Sequence, residues 1–214
     1  MMSPSPEPRW PAIIALVGVY LLIADLPDHV RLMPHWVSAA AAALAILPMA
    51  LLVFGGPTAP RLRAERGAVI AVAALVLVYA VTMLAVLIAN IVAGSSPLSG
   101  LRLLSSSVVV WVCNIVGFGL LYWQVDGGGP AGRARRHRPD WLFPQAGAGA
   151  AVESGWRPVF VDYLYLAFST ATAFSTTDAS PLTPRAKLLM MSEAAISLVT
   201  MVVVASRAIN VLAN

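Results

Sequence analysis

Charge is scarce in this sequence. Asp, Glu, Lys and Arg together make up 11% of its 214 residues, 59% are apolar, and the mean hydropathy is +0.79. Soluble domains carry roughly 25% charged and 45–50% apolar residues. A water-soluble globule of this length could not bury so much apolar surface and keep a wettable exterior. That excludes a cytosolic enzyme, a nucleic-acid module and a disordered chain. Cysteine is nearly absent as well: the single Cys113 sits inside an apolar run, so no intrachain disulfide can form and the redox compartment is not readable. His29, His35 and His137 lack metal-ligand spacing, and no nucleophile–base set or phosphate-binding glycine loop occurs. Nothing here points to enzyme chemistry, a cofactor or a metal.

What the chain does have is long apolar runs. A helix crossing the hydrocarbon needs about 20 mostly apolar residues at ~1.5 Å each. Pro11 to Ala24 is short for this, with Trp10 and Tyr20 as interfacial anchors. The residues before it carry little positive charge and no small-x-small cleavage site follows, so it reads as a retained span and not a signal peptide. Trp36 to Phe54 contains Pro48, which a membrane helix tolerates as a kink. Ala68 to Ala93 holds Asn90; Leu103 to Val125 holds Asn114 and ends in Tyr122 and Trp123; Leu188 to Ala208 holds Glu193. Asn90 and Asn114 are expected as interhelical hydrogen-bond glue.

These runs predict an all-α, polytopic membrane protein with five spanning helices in the cell membrane. Phe160 to Thr177, half apolar and half hydroxyl, is either a re-entrant segment or a sixth span. Three regions follow: residues 1–125 as a four-helix membrane region, 126–158 as a mobile basic and Gly-rich loop, and 159–214 as a helix, turn and last membrane helix. No internal repeat supports an inverted-repeat transporter.

The 14 basic residues report orientation. Arg9, the group Arg61, Arg63 and Arg66, the run Arg133, Arg135, Arg136 and Arg138, and Arg157 share one face if four helices precede the long loop. Arg31 and Arg102 lie opposite. If 160–177 spans, Arg207 joins the first set and Arg185 and Lys187 the second, giving 10 inside against 4 outside. A dip entered from outside gives 3 inside against 11, and a dip from the cytoplasm gives 11 against 3. The rule therefore favours a span or an inverted dip. The run from Arg133 to Arg138 reads first as a topology signal and second as a site for anionic lipid headgroups.

From Asp162 the chain reads DYLYLAFSTATAFSTTDASPLTPRAKLLMMSEAAISLVTMVVVASRAINVL. This resembles the pore module of tetrameric potassium channels, in which a pore helix precedes a TVGYGD filter, a Pro-containing turn and an inner helix. Tyr165, Phe168, Thr170 and Thr172 fall where that pore helix carries an aromatic, Phe and two Thr. Asp178 falls where the filter ends in Asp, Pro181, Thr183 and Pro184 match the turn, and Glu193 matches an acidic position of the inner helix. The stretch is also similar to a group of small bacterial multi-pass membrane proteins with this layout. The resemblance covers about a quarter of the chain and departs at its centre, where Phe174, Ser175, Thr176 and Thr177 replace VGYG. Without those glycines a potassium-selective stack of backbone carbonyls is not expected.

The resemblance implies a channel-like homo-oligomer. Hydroxyls of Thr172, Ser175, Thr176 and Thr177 with a ring of Asp178 would then form a weakly selective site for monovalent cations. The bland alternatives stand beside it. Ser and Thr in membrane helices also bond their own backbone, and Asp162 and Asp178, ~24 Å apart on a helix, also read as solvated helix ends. An intramembrane Glu193 costs ~2.5 kcal/mol or more if unpaired, so it is expected to face a partner or a polar space. Arg185 or Lys187 is within reach. The second overall reading is a non-conducting six-span protein that binds lipid or acts as a partner or scaffold, with membrane lipids as its neighbours and no nucleic acid.

Overall fold

The computed structural model describes residues 7–26, 33–56, 58–92, 100–135, 137–153, 155–172 and 179–212. The first helix, α1 (Trp10–Ala24), opens with Pro11 in its first turn, where a missing N–H costs nothing. It buries Ala12, Leu16, Val19 and Ile23, one residue per turn, and leaves Trp10, Ile14 and Leu21 exposed. Helix α2 (His35–Gly55) continues through Pro48. Helix α3 (Ala59–Val92) begins well before the apolar run at Ala68, because its first turns are rich in Ala, Arg and Glu, all good helix formers. Helix α4 (Gly100–Val125) leads through a tight turn into the short α5 (Gly129–Ala134). Strand β1 (Trp141–Leu142) follows, then two short 3₁₀ turns, α6 (Phe160–Thr172), β2 (Ser180–Pro181) and α7 (Pro184–Leu212).

The fold is all-α, with one two-residue β pairing. Four helices, α2, α3, α4 and α7, are long and apolar enough to cross a membrane. Helix α1 is equally apolar but has 15 residues, a rise of ~22 Å against a hydrocarbon core of ~30 Å. Large apolar side chains face outward: Phe54 is 90% exposed, Val92 81% and Trp36 71%. In water this would be a liability, and in lipid it is the ordinary solvent-facing surface. The hub is α4. Of its most apolar stretch 72% is buried, against 17% in α2 and 22% in α7.

Contacts along α4 fix the direction of its neighbours. The Trp123 ring meets Phe160 at 5.6 Å, and deeper in the bundle Trp111 meets Phe168 at 5.9 Å. Helix α6 therefore runs antiparallel to α4. On another side Tyr122 bonds Glu193, and Asn114 bonds Ser197 at 2.7 Å, so α7 is antiparallel to α4 as well. Two consecutive helices thus point the same way. Whatever joins them must return to the end from which α6 started. The ladder Trp141↔Pro181 and Leu142↔Ser180 places that return beside the chain entering α6.

This bears on the two options left open for residues 160–177. The described part of α6 has 13 residues, a rise of ~20 Å, up to Thr172. Strand β2 and the start of α7 lie at the end of the bundle where α6 begins, while residues 173–178 between them lie outside the described residues. The stretch 126–158, expected as a solvent loop, differs. Asp140, Trp141 and Phe143 are buried, and the segment folds as a cap over one end of the bundle. Its apolar residues are few but converge: Phe143 packs on Tyr163 at 5.3 Å and Trp141 on Tyr122 at 4.9 Å.

Small residues let α4 approach its neighbours, as helix packing in lipid requires. A Cβ on Gly117 would lie 2.7 Å from Leu77, and one on Gly119 would lie 3.3 Å from the Leu164 backbone. Because α6 backbone cannot swing aside as a side chain can, Gly119→Val is expected to destabilise the protein by about 1–3 kcal/mol. A lower melting temperature in detergent checks this, with Gly67→Val, which meets open space, as the control.

Candidate functional site

Helix α6 is held at its start. Asp162, in the first turn of α6, accepts the Val159 N–H at 2.7 Å, the backward half of a capping box. One residue on, the Tyr163 hydroxyl donates to Asp126 at the end of α4. The other Asp126 oxygen accepts the backbone N–H groups of Asp140 and Trp141. Asp140 in turn receives Arg185 through Nε and Nη2, both at 2.6 Å, the Thr183 hydroxyl at 2.6 Å, and the Gly127 N–H at 3.2 Å. Two carboxylates therefore tie α4, the cap, α6 and the start of α7 to one point. Gly127, at φ +55°, occupies the left-handed region, which lets its N–H turn toward Asp140.

A second layer joins the N-terminal segment. Arg133 donates to the carbonyls of Trp123 at 2.7 Å and Asp126 at 3.0 Å, pairs with Glu7 at 3.0 Å, and lies 5.0 Å from the centre of the Tyr163 ring. Trp123 Nε1 also donates to Glu7, and Arg9 pairs with buried Glu65 at 3.1 Å. The grouping of Arg133 with Arg135, Arg136 and Arg138 as one headgroup-facing run is thereby corrected. Arg133 is turned inward, 7% exposed, because four acceptors converge on its guanidinium. Arg135 and Arg138 are exposed, and Arg136 lies outside the described residues.

The hydroxyls of α6 turn to their own helix. Thr170 donates to Leu166 O at 2.8 Å, and Thr172 to Phe168 O at 3.0 Å and Ser169 O at 3.2 Å. Ser169 is buried against the bundle. Thr172 is thus the last described residue before the filter-like positions. Phe174, Ser175, Thr176, Thr177 and Asp178 lie outside the described residues.

Glu193 faces α4. It is fully buried, its Oε2 accepts the Tyr122 hydroxyl, and its Oε1 has no partner. Asn114 Nδ2 bonds Ser197 Oγ and reaches Glu193 O at 3.3 Å, while its Oδ1 is also unpartnered. Arg185, one of the two basic side chains within reach by sequence, is spent on Asp140. Tyr122 as the partner was not visible in the sequence, where it reads as an interfacial aromatic. Neither were Asp126 and Asp140, since two loop carboxylates carry no spacing signal. Among the described residues no three His, Cys, Asp or Glu side chains gather to hold a metal.

No family model, curated protein or solved structure matches this chain.

Burial would raise the carboxyl pKa of Asp140, but hydrogen bonds from Arg185, Thr183 and Gly127 outweigh it and hold the group below its ordinary value of 3.8. A depressed folded-state pKa stabilises above the unfolded value, and that contribution is lost as pH falls through the folded one. The melting temperature is therefore expected to fall as pH drops below ~4. Asp140→Asn should lower it at pH 7 and flatten that acid limb, both read by thermal melts in detergent.

Proposed function

We propose that this protein is a channel-like subunit whose re-entrant segment and last helix form one share of a weakly selective pore for monovalent cations in the cell membrane. The observation that carries the reading is the parallel pair of a short dipping helix and a long helix, joined by a return to the starting side. A hairpin built only for packing needs no such return, since antiparallel neighbours close with a short turn. The resemblance of 162–212 to a potassium-channel pore module supports the same reading, and the missing filter glycines argue for hydroxyl and Asp178 groups in place of stacked carbonyls.

The cleft between α1, α2 and α3 is lined by apolar residues such as Leu16, Val19, Val37 and Val72, and offers ions no path. Val161, Tyr165 and Phe168 of α6 and Leu188, Met191 and Leu198 of α7 remain exposed and supply the faces on which further copies would pack. Among the described residues the cap end carries Arg9, Arg61, Arg63, Arg66, Arg133, Arg135, Arg138, Arg157, Arg185 and Lys187, ten basic residues, against the positions of Arg102 near the start of α4 and Arg207 near the end of α7 opposite. The charge rule puts that end in the cytoplasm, so the dip enters from inside, inverted relative to the potassium-channel arrangement.

Two measurements test this. In a Cys113→Ser background, Arg135→Cys and Ser180→Cys are both expected to label from the cytoplasmic side only. Labelling from opposite sides would remove the re-entrant geometry, and labelling of both from outside would reverse the orientation. Planar-bilayer recording of the purified protein is expected to give cation currents that Asp178→Asn reduces severalfold. Silence of the wild type under conditions that preserve its fold would instead leave a non-conducting lipid-binding or scaffold role.

A further inference from the structure

We propose that Glu193 is a proton-binding site inside the membrane, and that its bound proton holds α7 against α4. The inference is independent of conduction. Glu193 lies in the third turn of α7, fully buried, with one carboxyl oxygen on the Tyr122 hydroxyl and the other unpartnered. A carboxylate in such surroundings needs a cation or several donors, and burying it without them is prohibitive, so the group takes up a proton instead.

Among the described residues the neighbouring elements provide no counter-charge. On α4 and the turn after it the titratable groups are Arg102, in the first turn of α4 at the opposite end of the bundle, and Cys113, Tyr122 and Asp126: Tyr122 is the donor already counted, Cys113 is buried, and Asp126 is committed to Tyr163 and the cap backbone. On α6, Asp162 caps its own helix, Tyr163 bonds Asp126, and Tyr165 is exposed. On α3, Glu65 is paired with Arg9, Arg61 reaches the end of α2, Arg63 bonds its own helix, Arg66 is exposed, and Tyr79 is uncharged. On the cap and β2 side, Asp140 holds Arg185, the basic residue nearest in sequence along with exposed Lys187. Each cation is held elsewhere or lies at the bundle end.

The rest of the seam is built for a neutral acid. Around Glu193, α7 presents Ser197 and Thr200, and α4 presents Asn114, all fully buried or nearly so and all uncharged. Thr200 bonds its own helix at Ile196 O, and Asn114 spans to Ser197. Trp141 closes the seam toward the cap, its ring tilted against Tyr122 and its Nε1 donating to Met190 Sδ at 3.3 Å. A protonated carboxyl offers one acceptor to Tyr122 and keeps one donor of its own, and so fits a polar but uncharged layer. Loss of the proton would leave an unpaired charge there and weaken the α4–α7 contact.

Infrared spectroscopy of the protein in lipid vesicles tests this. At pH 7 the wild type is expected to show a protonated-carboxyl C=O stretch that disappears in Glu193→Gln. In Tyr122→Phe the same band should move to higher wavenumber, because its hydrogen bond is gone. As pH rises toward the point at which the band bleaches, the wild-type melting temperature should fall relative to that of Glu193→Gln, whose neutral amide has no proton to lose. A protonated-carboxyl region identical in wild type and Glu193→Gln would overturn the proposal. If Glu193→Gln does not fold, a band that fails to move in Tyr122→Phe does the same.

Discussion

The carboxylate of Asp126 is the point on which this architecture turns. It sits where α4 ends, a position unfavourable for a negative charge because the helix dipole presents its own negative end there. It is buried nonetheless, and it is held by Tyr163 from α6 and by two backbone N–H groups of the cap. Hydrogen bonds to a charged group contribute about 1.5–3 kcal/mol each, and an unsatisfied one costs more. The arrangement is therefore stable only when all donors are present together. Since the cap also carries Asp140, which receives Arg185 and Thr183, the starts of α6 and α7 are brought to the same place. The parallel placement of α6 and α7 follows from that convergence.

The polar groups are distributed in two layers with different physics. At the cap end, ion pairs such as Arg9–Glu65 and Arg133–Glu7 join segments far apart in the chain, with arginine supplying several donors to carbonyls and carboxylates at once. Within the bundle the described layer consists of Asn114, Ser197, Thr200 and the carboxyl of Glu193 bonded to Tyr122, and it runs along one side of α4. Outside both layers the surface is apolar. Lipid gives helices no hydrophobic reason to associate. Close packing at Gly117 and Gly119 and the polar seam between α4 and α7 supply that reason instead.

The spanning helices were legible because length and apolarity are local properties. Runs at 36–54, 68–93, 103–125 and 188–208 became α2, α3, α4 and α7, although α3 began earlier, at Ala59, where helix propensity continues past the apolar stretch. The first run gave a helix of 15 residues, shorter than the others. The cap was misread because its composition, rich in Gly, Pro and Arg, is that of an open loop. Its few anchoring residues, Asp140, Trp141 and Phe143, follow no period. Arg133 could not be separated from Arg135 and Arg138 by sequence, since its partner Glu7 lies 126 positions away.

Membrane residence, helical content and the uneven placement of basic residues were determined by the sequence alone, because each depends on composition within a window of about 20 residues. The fate of the hydroxyl-rich segment was not. An apolar run of that length is compatible with a full crossing or a return. What brought the starts of α6 and α7 to one end of the bundle was a two-residue ladder between positions some 40 apart and one arginine on one aspartate. Such pairings exist only once the chain has folded, and their energy comes from groups that, read along the sequence, have nothing to do with each other.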